Sequence, residues 1–286
     1  MNPENKTERQ RVILKRILVP LDESEYSRAA LETAAQLASA LGAEISGLYV
    51  EDTDLLELCR FPFAREIGIY RSRPLDRSEL ERDFRTQAER IRKTMALIAK
   101  HADISWNFTV RRGRVISEIL DQTNSADLTV IGRLGRSLLG TSAGSTVRHL
   151  IEQGRAMTLI LGRGARLTAP VFTVYDGSDL SARALGIAVD LARAVGGETE
   201  ILIPAEDENS YQKLRDRVIS AVEETPGTGG MRLRFRHIRT NLQNALTTVL
   251  QPEYMRPLVL PADTMGGSQT ILELINRVHN PILLVR

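Results

Sequence analysis

Arg16-Ile-Leu-Val-Pro-Leu21, then Asp22-Glu-Ser24 as a helix cap, then Ala29, Ala30, Ala34, Leu37, Ala38 and Leu41 at helical spacing as far as Gly42, reads as strand, turn, helix and glycine stop. The same grammar returns 154 residues later, where Asp176, Ser178, Ser181, Ala184, Leu185, Ala188, Leu191, Ala192 and Gly196 match Asp22, Ser24, Ser27, Ala30, Leu31, Ala34, Leu37, Ala38 and Gly42. Towards the end of each half the register changes. Gly144-Ser145 pairs with Gly267-Ser268, and Thr158-Leu-Ile-Leu161 with Pro281-Ile-Leu-Leu284, at an offset of 123, so the second copy is 31 residues shorter in between. A period this long marks a duplicated domain, since solenoid repeats run to about 20 to 50 residues. At 286 residues with 42% hydrophobic content, the chain has material for two cores.

Working outward through the first copy, strands and helices alternate. Ala43 to Val50 follows Gly42 as a second strand, and a long helix is predicted from about Leu75 to His101, with Leu80, Phe84, Ala88, Ile91, Met95 and Ile98 on one stripe. Ser105 to Val110 alternates as an edge strand would, Val115 to Leu120 is the next helix and Ala126 to Ile131 the fourth strand. A helix after Gly144 and a strand at Thr158 complete a βαβαβαβαβ order. Such alternation predicts a doubly wound α/β domain, a five-stranded parallel sheet with helices on both faces.

Ligands of such sheets sit beyond the carboxyl ends of the strands, where the strand order reverses. Asp22 lies at the end of strand one, and Val50-Glu51-Asp52 at the end of strand two. Strand four opens into Gly132-Arg-Leu-Gly135-Arg-Ser-Leu-Leu-Gly-Thr-Ser-Ala-Gly144-Ser145-Thr146. Glycines let backbone approach an anion, and the helix that follows offers free N–H groups and partial positive charge, so this loop suits a di- or triphosphate. An ordinary strand-to-helix connection would also fit that spacing. A Walker loop is excluded because no lysine falls between Gly132 and Ser145, and a Rossmann fingerprint because the first strand ends in Pro20-Leu-Asp22. In the second copy Leu258-Val-Leu260 reaches Gly267-Ser268 through a connection about half as long.

Taken together, Ile17-Leu-Val-Pro-Leu-Asp22, Leu48-Tyr-Val50-Glu-Asp, Ala126-Asp-Leu-Thr-Val-Ile-Gly132 and the Gly132-x2-Gly135…Gly144-Ser145 loop resemble the universal stress protein family in its tandem two-domain form. The resemblance is strong over residues 15–163 and weak over 169–286. It implies the adenine-nucleotide alpha-hydrolase-like fold: a polar extension over 1–14, a first domain over 15–163 and a degenerate second domain over 164–286. It also implies an ATP site, with Mg2+ as a companion ion. Gly132, Gly135, Gly144, Ser145 and Thr146 would hold the phosphates, Pro20 and Asp22 would lie near the ribose and base, and Val50 would meet adenine through its backbone. The family loop carries nine residues before its last glycine, whereas eight separate Gly135 from Gly144 here. In family members the last strand makes the dimer interface. The two halves are therefore expected to form an intramolecular pseudo-dimer, which would dimerise again.

Other features bound the function. A net charge of +2 argues for no global attraction to nucleic acid or acidic lipid. Arg232, Arg234, Arg236 and Arg239 alternate without an aromatic stacking set and read as a charge-blunted edge strand. The single Cys59 forms no intramolecular disulfide, the four histidines have no metal spacing, and no apolar run is long enough for a membrane span. Residues 1–11 lack a signal peptide's apolar centre, and a cytoplasmic protein is expected. Arg133, Arg136 and Arg148 stand close enough to the loop to neutralise phosphate, or are simply solvated. Residues 52–74, absent from the shorter copy, would serve as a lid or as the surface for an unknown protein partner, or would pack on the sheet edge as a loop. No nucleophile with an adjacent base is visible, so an enzymatic role is at most a slow ATPase. Three functions stay open: a nucleotide-binding stress-response module, a nucleotide-free scaffold, and a weak ATPase.

Overall fold

A computed structural model describes residues 14–67, 72–134, 143–162, 164–223, 231–250, 256–264 and 266–286. The first half runs β1 (Arg16–Pro20), α1 (Glu25–Leu41), β2 (Glu44–Asp52), α2 (Thr53–Leu58), β3 (Arg65–Ile67), β4 (Ser72–Pro74), α3 (Arg77–Ala102), β5 (Trp106–Gly113), α4 (Val115–Thr123), β6 (Leu128–Gly132), α5 (Ser145–Gln153) and β7 (Met157–Leu161). The second runs β8 (Val171–Val174), α6 (Asp179–Val195), β9 (Glu198–Pro204), α7 (Glu208–Glu223), β10 (Arg232–Ile238), α8 (Leu242–Leu250), β11 (Leu258–Pro261), α9 (Ser268–Arg277) and β12 (Ile282–Val285).

Ten of these strands form one sheet in the order β10-β9-β8-β11-β12-β7-β6-β1-β2-β5. Within each half the strands are parallel; the halves meet where β7 and β12 run antiparallel, with Ile160 opposite Ile282, Leu159 opposite Leu283 and Thr158 opposite Leu284. All residues of both strands are buried, and an apolar run with no alternation is what a strand covered on both faces requires. The halves thus pair through their last strands, as an apolar sheet edge demands.

Successive side chains leave a strand on opposite faces. Ile17 and Val19 join α1, α3 and α6 in one core, to which β7 adds Leu159 and β12 adds Leu283. Leu18, Ile160 and Leu284 join α4, α5, α8 and α9 in a second core on the other face. Both cores cross the junction. The doubly wound architecture is therefore present twice and shares its packing.

The duplication is exact to the hydrogen bond at the first turn. Ser24 caps α1 by accepting from the Ser27 amide at 3.0 Å, and Ser178 caps α6 by accepting from Ser181 at 3.1 Å. Glu23 adopts a left-handed φ of 60°, and Gly177, its counterpart, one of 87°. Gly42 ends α1 with φ 66°, a conformation that costs a side-chain-bearing residue about 1–2 kcal/mol.

At the sheet edges, Trp106 and Phe108 of β5 are half-buried while Val110 is exposed. The β10 arginines are matched to β9: Arg234 lies 2.6 Å from Glu198 and Arg236 2.6 Å from Glu200. Residues 52–74 are not a plain loop on the sheet edge. They form α2, anchored by buried Leu56, and the antiparallel hairpin β3–β4 with Arg65 opposite Pro74. Among the described residues, no helix is long and apolar enough to cross a membrane.

Candidate functional site

In the first half the chain order reverses between β1 and β6: β2 and β5 lie to one side, β7 to the other. A cavity of about 700 Å³ opens there, at the carboxyl ends of β1, β2 and β6. This is the volume of a small-molecule site, which runs from about 300 to 1,000 Å³. Pro20, Asp22, Val50, Gly132, Gly144, Ser145 and Thr146 all line it. Gly135 lies outside the described residues, as does Arg136.

Each wall has a local cause. The turn after β1 is braced by Asp22, whose Oδ1 accepts from the Ser24 amide at 3.1 Å and the Ser24 hydroxyl at 2.6 Å. Ser24, not Asp22, is the cap of α1; Asp22 orients it. Val50 stands near the end of β2, beside Asp52, which caps α2 by accepting from the Asp54 amide at 2.9 Å. Helix α2 then contributes Asp54 and Leu55 to the wall, and α3 contributes Phe84 and Gln87. Gln87 is set by the Tyr49 hydroxyl, which donates to its Oε1 at 2.8 Å.

The polar end of the cavity is made by helix starts. At α5, Gly144 is the N-cap with extended backbone (φ −62°, ψ 161°) and has no side chain to cap the helix's first amide groups, and Ser145, Thr146 and Val147 line the cavity. At α4 the cap is Arg114, again without a side-chain cap bond, and Val115 to Ser117 face the same space. By contrast α1, α2, α3 and α6 are each capped by a Ser or Asp side chain. Two uncapped helix starts converging on one cavity present amide donors and partial positive charge to whatever binds. Apolar Leu48, Val115, Ile119 and Ile131 line the remainder. The arrangement suits a ligand with an anionic end and a flat apolar end.

Gly132 has a second reason to be glycine. A Cβ there would lie 2.6 Å from Tyr26 Cβ and 2.9 Å from its carbonyl, so α1 can sit against β6 only if the position is bare.

Arg133 is among the residues that line the cavity, but its guanidinium turns away from the first half. Its side chain is 6% exposed and crosses to the second half, where Nη1 donates to the Val278 carbonyl at 3.0 Å and approaches His279 Nδ1 at 3.3 Å. Burial holds its guanidinium below its usual pKa. Arg148 is exposed on α5 and is not part of the lining. Among the described residues Arg114 also lines the cavity, 3.2 Å from Asp54. The helix from Val115 is legible in the sequence but its start is not assigned to the site there, although Gly113-Arg114 at a strand end, just before an apolar helical run, is the same kind of signal as Gly144-Ser145.

In the second half, Leu214 of α7 packs beside the turn that pairs with Glu23. A Cβ at Gly177 would lie 2.7 Å from Leu214 of α7, which follows β9 with no counterpart of residues 52–74 between them. Among the described residues, no three His, Cys, Asp or Glu side chains cluster as metal ligands would.

Comparison with known proteins adds the relationship. The sequence model of the universal stress protein family matches residues 14–161. No curated protein sequence matches the chain. Among solved structures, a universal stress protein from Archaeoglobus fulgidus DSM 4304 is 20% identical, with 94% of this chain and 95% of that chain covered and a TM-score of 0.68. A functionally unknown protein from Pseudomonas aeruginosa PAO1 is 14% identical, covering 96% and 92%, with a TM-score of 0.59. At such identities the likeness is one of fold, and it extends through both halves.

Proposed function

This chain belongs to the universal stress protein family, in its tandem two-domain form, and from that premise we propose that its first half binds ATP, or a related adenine nucleotide, in the cavity between β1 and β6. The triphosphate would lie at the start of α5 against Gly144, Ser145 and Thr146, with Gly132 and Gly135 in the loop before it. The adenine would lie against Val50, with Pro20 and Asp22 near the ribose. The observation that carries this reading is the convergence of two uncapped helix starts on a cavity that also contains an apolar wall.

The residues present fit such a ligand. Amides and the Ser145 and Thr146 hydroxyls supply donors, and the wall of Leu48, Ile119 and Ile131 supplies an apolar surface for a base. Among the described residues positive charge is scarce, because the Arg133 guanidinium reaches the other half and Arg114 is shared with Asp54. A divalent cation such as Mg2+ would therefore travel with the phosphates, with Asp22 and Asp52 the carboxylates at hand. The second half would be structural, with Leu214 of α7 packed beside the turn at Gly177. In the cell this describes a cytoplasmic module that senses or stores a nucleotide in stress response, and a homodimer of such chains is part of the proposal.

Calorimetric titration tests it. ATP with Mg2+ should bind one site per chain, ATP alone more weakly, and Gly144→Val should lose binding while costing only about 1 kcal/mol of stability, since its φ of −62° does not strain a side chain and the cost is that of a poor N-cap. No heat of binding in the wild-type protein contradicts the reading.

A further inference from the structure

The two described ends of the loop that begins at Gly132 are held by the other half of the molecule. On its near side, Arg133 reaches the Val278 carbonyl at 3.0 Å and His279 at 3.3 Å. On its far side, the Ala143 amide donates to Oδ1 of Asn276, near the end of α9, at 2.8 Å. The two ends are also joined to each other, because the Gly144 amide donates to the Arg133 carbonyl at 3.0 Å. Residues 276–279 of the second half thus hold the chain immediately before and after the segment that leads into α5. An apolar seam such as β7–β12 would suffice to keep the halves together. Polar contacts placed at the loop ends do something different: they fix where the first amides of α5 point.

We infer that Asn276, with the Val278 carbonyl and His279, forms a positioning element by which the second half sets the geometry of the anion-facing start of α5 in the first. The purpose assigned to it, tuning nucleotide affinity, rests on the function proposed above. The second half is then more than a structural remnant, since it organises a site that it does not itself contain. Coupling of this kind is reciprocal: a ligand that orders the start of α5 also tightens residues 276–279.

Two arms of one experiment test it. In the ligand-free protein, hydrogen exchange of residues 143–147 should quicken about three- to tenfold in Asn276→Leu, which removes the acceptor at similar size, and return to the wild-type rate in Asn276→Asp, which restores an oxygen. In the second arm, Asn276→Leu should bind ATP with Mg2+ about fivefold more weakly at an unchanged melting temperature. Glu273→Gln, which alters the α9 contact with Gln243 at 3.1 Å, should bind as the wild type does. Unchanged exchange over 143–147 in Asn276→Leu overturns the inference whatever the affinity. Quickened exchange in a protein that binds no ATP keeps the positioning element and removes the nucleotide reading.

Discussion

Single residues in this chain often answer to two demands. Gly132 is both the exit of β6 into the cavity and the bare spot that lets Tyr26 of α1 approach, so Gly132→Ala should cost about 2 kcal/mol in urea denaturation through overpacking alone. A cost near zero would place α1 farther from β6 than described. Asp176 shows how a feature of the first turn persists in the second half. Burial by itself would raise its pKa, but hydrogen bonds from Ser178 and Ser181 outweigh that and hold the carboxyl below its ordinary value. A folded-state pKa below the unfolded value of about 3.9 stabilises the protein above that pH, and the contribution is lost as pH falls through the lower folded value. Asp176→Asn keeps an acceptor for the Ser178 amide and removes the titration. Its urea midpoint should therefore fall less steeply than that of the wild type between about pH 5 and pH 3, and parallel slopes would show that Asp176 is not held as described.

Among the elements, α5 is the one the rest of the molecule is arranged around. Its start faces the cavity, and its last turn is closed by Arg286 of the second half, whose Nη2 donates to the Leu150 carbonyl at 2.9 Å and the Ile151 carbonyl at 2.6 Å. Burial of that guanidinium depresses its pKa, so the carbonyls must repay its desolvation. Replacing it, Arg286→Met should leave those carbonyls without their charged donor and lower stability by about 2 kcal/mol, read from the denaturation midpoint; an unaltered midpoint would mean that solvent caps α5 equally well. The elements themselves were legible because periodicity is local: the 3.6-residue stripe of Phe84, Ala88, Ile91 and Met95 gives α3, and the alternation at Trp106 and Phe108 gives an edge strand. Three strand ends and a glycine loop were enough to bring Pro20, Asp22, Val50, Gly132, Gly144, Ser145 and Thr146 to one cavity. Arg133 was not legible in this way. Nothing near it in sequence says that a basic side chain after a glycine will be buried against residues 145 and 146 positions away. The hairpin β3–β4 escaped for a related reason, since its three-residue strands are too short to show a period.

At the scale of the whole molecule, duplication followed by divergence explains both the continuity and the asymmetry. The sheet is continuous because each copy ends in a strand with no polar face, and β7 and β12 satisfy each other. It is asymmetric because residues 52–74 add α2 as a cavity wall in one copy, while in the other α7 follows β9 closely and Leu214 packs beside the turn. The exposed Leu58, Phe61 and Phe63 that follow Leu55 on the same inserted segment are the residues through which the alternative, a scaffold recruiting a protein partner, would act. The role proposed for the first half is nonetheless chemical, the holding of an adenine nucleotide. The most direct measurement is mass analysis of the small molecules released when the purified protein is denatured. ATP, or another adenine nucleotide, is expected at up to one per chain; a protein that releases no nucleotide and gains no thermal stability from added ATP with Mg2+ would contradict the proposed function.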